Sequence, residues 1–359
     1  MILILAFFHY DNRVEVHKMI KFDSDYVEGC IPEILEALAA SNEEQTSGYG
    51  VDPHCDNARE LIKKACKAEN ADVHFVVGGT QANVIVLNSL LKPYQGALCA
   101  DTGHINVHET GALEMTGHKC LTLPTENGKI TAADVEKAIV NQRDDGSAEH
   151  IVQPGAVYIS WPTELGSLYT KKEMQALSRV CRKYNVPLFC DGARLGYGLA
   201  SKNCDMKLTD FARYCDVFYI GGTKVGALFG EAIVINNDAY KANFRYYIKQ
   251  HGAMLAKGRL LGIQFEQLFT GNRYLTVAKH AMAMADMLAD ALKEKGYSFL
   301  SEPETNQLFP ILSNKKIKEL QKSFGFSLNG AIDKDHTAVR FVTSFMTKEE
   351  NVKALIKAL

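Results

Sequence analysis

Three short stretches place chemically capable side chains directly after apolar runs. The first, Gly78-Gly79-Thr80-Gln81-Ala82-Asn83, follows residues 73–77. Paired glycines let the backbone approach a ligand closely, and a helix opening at Thr80 would offer unpaired N–H groups and a positive dipole end, a cradle for phosphate. The same glycines could serve only a tight turn. The second, Asp191-Gly192-Ala193-Arg194, follows residues 186–190. A carboxylate at the tip of a buried strand is costly without a partner. A protonated pyridine nitrogen would be one, and that ion pair keeps a ring an electron sink; a salt bridge to Arg194 is the plain alternative. The third, Gly221-Gly222-Thr223-Lys224, follows residues 217–220. A lysine at its reference pKa of ~10.4 is a poor nucleophile. A cleft that desolvates it lowers that pKa and suits it to Schiff-base chemistry, whereas a surface lysine after a turn would read the same.

The elements that must position these residues alternate along the chain. Short apolar runs at 73–77, 97–100, 120–123, 157–160, 188–190 and 217–220 read as buried strands. Between them, helical periods cover 57–69, 80–92, 131–140 and 172–184. Strands separated by a helix require crossover connections, so the reading is α/β, a mostly parallel sheet with helices on both faces. Ligands bind such sheets at the carboxyl ends of the strands, where all three stretches fall. The last third differs: a long helix over 272–294, strands at 309–312 and 339–342 and a final helix over 348–358 form a smaller α+β domain. Gly271-Asn272 punctuates the chain there, giving a large domain over 20–271, a small one over 272–359 and an extension over 1–19.

Composition narrows the partners. A net charge of -2 gives no basic excess for nucleic acid or an anionic membrane. Nine cysteines, an odd number with no CxxC pair, are the usage of a reducing compartment. No run approaches the ~20 apolar residues of a membrane span, and the first eight residues lack the charged leader of a signal peptide. The expectation is a cytoplasmic protein acting on a small molecule.

Beyond these stretches stand Ser24-Asp25, Tyr49-Gly50-Val51-Asp52-Pro53, His104-Ile105-Asn106-Val107-His108-Glu109 and Arg340-Phe341-Val342-Thr343. Together, and in this order, the segments resemble the L-threonine aldolase and β-eliminating lyase group of fold type I pyridoxal-phosphate enzymes, from about residue 20 onward. The resemblance implies an aspartate-aminotransferase-like large domain and a cofactor, pyridoxal 5'-phosphate, held as a Schiff base on Lys224 beside Thr223. It also implies that Asp191 pairs with the pyridine nitrogen, that Gly79, Thr80 and Gln81 bind the phosphate, and that His104 stacks on the ring. Ser24, Arg194 and Arg340 would hold the substrate carboxylate, a pair of guanidinium groups being suited to planar anions. Tyr49 falls in a family segment near the active site. Active sites in this group form between subunits, so a homodimer or homotetramer is implied. His104 and His108, spaced i and i+4, could instead share a metal on a helix face, but no third ligand stands at matching spacing.

Two segments depart from the family pattern. Where an arginine that reaches phosphate is expected, the chain has Ala256 in Gly252-Ala253-Met254-Leu255-Ala256-Lys257-Gly258-Arg259. Lys257 or Arg259 could substitute across a dimer interface, or lie on a solvated helix face. After residues 157–160, aldolases typically place a histidine that aids deprotonation of the substrate hydroxyl; here the chain reads Trp161-Pro162-Thr163-Glu164. Glu164 could act as base if burial raises its pKa, or be a structural cap. The implied reaction is retro-aldol cleavage of a β-hydroxy-α-amino acid such as L-threonine or allo-threonine to glycine and an aldehyde. The alternatives are β-elimination on another amino acid and a non-catalytic relative that binds the cofactor.

Overall fold

The structure, a computed structural model, describes residues 19–359; the signal-peptide reading and all but the last residue of the expected extension lie outside the described residues. After a two-residue strand β1 (Ile20–Lys21) the chain enters a seven-stranded sheet: β2 (Asp72–Val76), β3 (Gln95–Ala100), β4 (Cys120–Leu123), β5 (Gln153–Ser160), β6 (Leu188–Asp191), β7 (Val217–Gly221) and β8 (Glu231–Ile235). The strand order is β2-β8-β7-β6-β5-β3-β4. Neighbours pair in parallel except β8, which runs antiparallel to both β2 and β7. The expected parallel strands stand within a residue or two of their sequence-read bounds, apart from β5, which starts four residues early. The added antiparallel strand β8 reads EAIVI.

Strands β5, β6 and β7 are buried almost end to end because helices cover both faces. Phe189, Phe211 and Phe218 are fully buried in this packing, each contributing roughly 1.5–3 kcal/mol. Side-chain caps set the helix starts. Asp52 Oδ1 accepts from the Cys55 amide at 2.9 Å and Pro53 opens the first turn, so this helix runs Pro53–Cys66, earlier than its apolar period suggests. It stops at Lys67, whose φ of 51° is left-handed. Capping boxes at Thr131/Asp134 and Thr170/Glu173 open Ala132–Asp144 and Lys171–Tyr184.

Toward the C-terminus, β9 (Gln307–Leu308), β10 (Ile311–Ser313), β11 (Phe324–Gly325), β12 (Ser327–Ala331) and β13 (His336–Val342) follow. β13 pairs antiparallel with β9, β10 and β12, while β11 pairs in parallel with β1. The long helix is Arg273–Glu294. Its Ala278 and Ala281 pack into the core beneath the large sheet, and its Leu288 and Leu292 pack with Val339 and Phe341 of β13. We propose the division into large and small domains near residue 271, with this helix rooted in both cores.

Candidate active site

The turns after β6 and β7 touch each other. A Cβ at Gly192 would stand 2.0 Å from the Tyr219 carbonyl oxygen, so only glycine lets the Asp191 strand end pass so close to β7. Asp191, 4% exposed, receives hydrogen bonds from three strands or helices. Its Oδ2 accepts from Asn83 Nδ2 at 2.8 Å and Tyr158 Oη at 2.7 Å; its Oδ1 accepts from Tyr219 Oη at 2.5 Å and the Ala193 amide at 3.0 Å. Burial alone would raise the Asp191 pKa, but the His104 charge and these donors outweigh it and hold the carboxyl below its ordinary range. Burial and the same carboxylate push both tyrosines well above the usual phenol value, which keeps them donors. Arg194 is not the partner of Asp191.

Arg194 instead forks onto Asp25: Nε donates to Oδ2 at 2.7 Å and Nη2 to Oδ1 at 3.0 Å. Asp25 is fully buried and also accepts from Asn306 Nδ2 at 2.9 Å. Arg194 Nη1 has no partner among the described residues, and Arg194 lines a cavity of about 610 Å³. The cavity's lining includes Tyr26, His104, Glu164, Arg194, Lys224 and Arg340. Lys224 Nζ makes no ion pair among the described residues and lies 5.7 Å from the Tyr26 ring centroid. Arg340 Nη2 donates to the Asp23 carbonyl at 3.2 Å, while Arg340 Nε and Ser24 Oγ are buried with no partner among the described residues. Buried donors left unpaired are rare and mark a place for an acceptor.

His104 opens a short helix, His104–Val107, and its Nδ1 sits 2.6 Å from Glu109 Oε1. Burial lowers the imidazole pKa, but the Glu109 bond and the charges of Asp191 and Glu109 prevail and raise it. Glu164 Oε1 accepts from Ser160 Oγ at 2.5 Å and from the His104 amide at 2.9 Å. Burial, helped by the Asp191 charge, raises the Glu164 carboxyl above its ordinary value.

The turn after β2 leads directly into a helix, the strand–turn–helix form read from the sequence. Helix Gly79–Leu90 begins with Gly78 extended and Thr80 exposed at its first turn. A Cβ at Gly79 would stand 2.9 Å from Tyr219 Oη. Gln81 folds back, its Oε1 accepting from the Val77 amide at 3.0 Å. Thr223 Oγ1 donates to Glu231 Oε1 at 2.8 Å and accepts from the Gly230 amide at 3.0 Å; burial pushes Glu231 up to about 8.

Tyr49, Lys257 and Arg259 lie elsewhere on the chain. Tyr49 is half exposed, its amide donates to the Ala256 carbonyl, and Lys249 Nζ stands 5.0 Å from its ring centroid. Lys257 is exposed, and Arg259 Nη1 donates to the Glu44 carbonyl at 2.6 Å. Sequence reasoning gave no role to Asn83, Glu109, Tyr158, Tyr219, Glu231 or Asp25. Asn83, Glu109 and Asp25 lie inside segments it quoted; the tyrosines carry no local signal beyond their strands.

Comparison with known proteins agrees with this architecture. A family model described as beta-eliminating lyase matches residues 21–315. A low specificity L-threonine aldolase of a Pseudomonas species is 30% identical over 338 residues, covering 93% of this chain and 95% of that protein. One of Pseudomonas aeruginosa is 30% identical, covering 94% and 96%. The solved structure of Leishmania major threonine aldolase superposes with a TM-score of 0.92 at 43% identity, covering 94% of this chain and 98% of that one. Aspartate aminotransferase of Thermus thermophilus, at 14% identity and a TM-score of 0.69, shares the fold. Because the family match runs through the whole large sheet and the turns that carry Asp191 and Lys224, this chain belongs to the beta-eliminating lyase family.

Proposed function

We propose that the protein is a pyridoxal-phosphate-dependent lyase that cleaves L-threonine and allo-threonine-type β-hydroxy-α-amino acids into glycine and an aldehyde. The observation that carries the reading is Lys224, without an ion pair among the described residues, opening into a cavity lined by the two guanidinium groups of Arg194 and Arg340, the latter with its Nε buried and unpartnered. The cofactor fits this donor set. Gly79 and Thr80 at a helix N-terminus would hold its phosphate, Asp191 its ring nitrogen, His104 a ring face and Lys224 its aldehyde carbon. When bound, it supplies an electron sink for breaking a bond at Cα of an amino acid.

The residues of the chain do the rest. Asp191 stays anionic beneath its four donors and so keeps a facing ring nitrogen protonated. Arg340 Nε, Arg194 Nη1 and Ser24 Oγ receive the substrate carboxylate and fix which bond at Cα is presented. Glu164 takes the β-hydroxyl proton at Oε2, because its Oε1 is occupied by Ser160 and the His104 amide. Its raised pKa makes it a stronger base than an ordinary carboxylate, whereas His104, also raised, is held toward its protonated form. Tyr49, Lys257 and Arg259, away from this cavity, are proposed to reach the site of a second copy in a homodimer or homotetramer. Among the described residues no helix is long and apolar enough to cross a membrane. The cysteine usage, nine with no CxxC pair, supports our proposal of a cytoplasmic location.

The test is a spectrum followed by product analysis. Purified protein with added cofactor should show a visible absorption band, and L-threonine should then yield glycine and acetaldehyde in equal amounts. Keto acid and ammonia in their place would reassign the reaction to β-elimination. A band with neither product would make the chain a non-catalytic binder.

Glu164→Gln should keep that band and lower kcat by about 10²–10⁴-fold, the usual contribution of a general base. In the unmutated enzyme activity should fall as the pH drops through the Glu164 pKa, and from a higher pH than an ordinary carboxylate would give, since burial raises that pKa. A Gln variant that retains this acid limb would exclude Glu164 as the base.

A further inference from the structure

Glu109 has no part in the steps above, yet its side chain is 1% exposed behind the cavity-lining His104. A carboxylate that dry needs close partners. Its Oε1 takes two donors, His104 Nδ1 at 2.6 Å and Asn83 Nδ2 at 2.8 Å. Asn83, fully buried, sends the same amide nitrogen to Asp191 Oδ2 at 2.8 Å. One side-chain amide therefore bridges two carboxylates. Both are acceptors, so the NH₂ end must face them, and Asn83 Oδ1 is left buried without a partner among the described residues.

The arrangement decides which imidazole nitrogen meets the cavity. With Nδ1–H turned to Glu109, only Nε2 remains for a ligand. The charged groups around the ring come from several elements: Glu109 from its own loop, Asp191 from the end of β6 and Lys224 from the turn after β7, while Arg340 of β13 lines the same cavity and acts on the neighbouring His108. Glu164 holds the His104 amide, and the His108 ring centroid lies 5.5 Å away. Of these, Glu109 is hydrogen-bonded to the ring and Asp191 is joined to it through Asn83, and both carboxylates favour a cationic imidazole.

We propose that Glu109 is a positioning residue that holds His104 with Nδ1–H toward its carboxylate, and that Asn83 joins this pair to Asp191 in one charge-sensing chain. The inference rests on the cofactor reading above. It makes His104 a hydrogen-bond donor through Nε2–H and leaves proton removal to Glu164.

The test is an NMR titration of the cofactor-loaded enzyme with ¹⁵N-labelled histidine, the His104 signals assigned through His104→Asn. Glu109→Gln keeps an acceptor oxygen but removes the charge; the His104 titration should fall by about 1–3 pH units, the usual effect of losing a near counter-charge. Glu109→Asp, which keeps the charge, should stay near the unmutated value and serves where the Gln variant does not fold. An unmoved titration in Glu109→Gln, or a fall in Glu109→Asp as large as that expected for Gln, overturns the proposal. An unmutated protein with no visible band would instead overturn the cofactor reading, a distinguishable result.

Discussion

Lys224→Ala will show no visible absorption band with added cofactor and will lose aldehyde release by about 10⁴-fold or more, the scale on which a covalent catalytic residue acts. Lys224 is the one lysine among the described residues lining the cavity, so no neighbour can take its place. Its backbone is held independently of its side chain: the Lys224 carbonyl accepts from the buried Tyr197 hydroxyl, and the Val225 amide donates to the Gly222 carbonyl. The side chain itself reaches into open space above Tyr26, so its removal leaves no cavity in the core and the variant should melt close to the parent. Borohydride reduction followed by peptide mass mapping checks the attachment point. A mapped adduct on another lysine, or undiminished turnover, would defeat the assignment.

Asp25→Ala should give the largest loss of stability of any single change near the cavity, about 3–5 kcal/mol, because it strands Arg194 with its partner gone. Arg194 has two of its nitrogens on Asp25 and little water to turn to, being 15% exposed. The same change should raise the KM for threonine, since Arg194 Nη1 is aimed by the fork behind it. The pH dependence has a definite sign. Burial would raise the Asp25 pKa, but the Arg194 charge and hydrogen bonds outweigh it and depress the folded value below that of the unfolded chain. Its contribution is therefore complete above the unfolded carboxylate value of about 3.9 and disappears as the pH falls through the depressed folded value. Urea titrations of the parent and Asp25→Asn should converge only in that acid window. Equal stability at neutral pH would show that the fork is dispensable.

Local pattern carried much of this molecule. The turn glycines, Asp191 and Lys224 each follow a short apolar run, and a parallel sheet brings such strand ends together whatever the details of packing. What pattern could not show is direction and partnership. The run at Glu231–Ile235 looks like its neighbours, yet it enters the sheet antiparallel, because only the short turn after β7 links it to that strand. The fork on Arg194 joins residues 169 positions apart, and no period reports such a pair. Asp191-Gly192-Ala193-Arg194 offered a local salt bridge instead, the reading that the structure replaces. Tyr158 and Tyr219 read as ordinary strand residues, since their role depends on which strands become neighbours of β6.

The carboxylate-holding role proposed for Ser24 and Arg340, whose donors are unpaired, bears on what the pocket turns away. An amine or amino alcohol of the same size could fill the space and present its nitrogen where Lys224 would hold the cofactor, but it would leave both donors buried and dry. Each such group costs about 1–3 kcal/mol, so a missing carboxylate is punished twice. The enzyme thus screens candidates by what they lack, and a generous cavity can accept varied side chains while still demanding an amino acid.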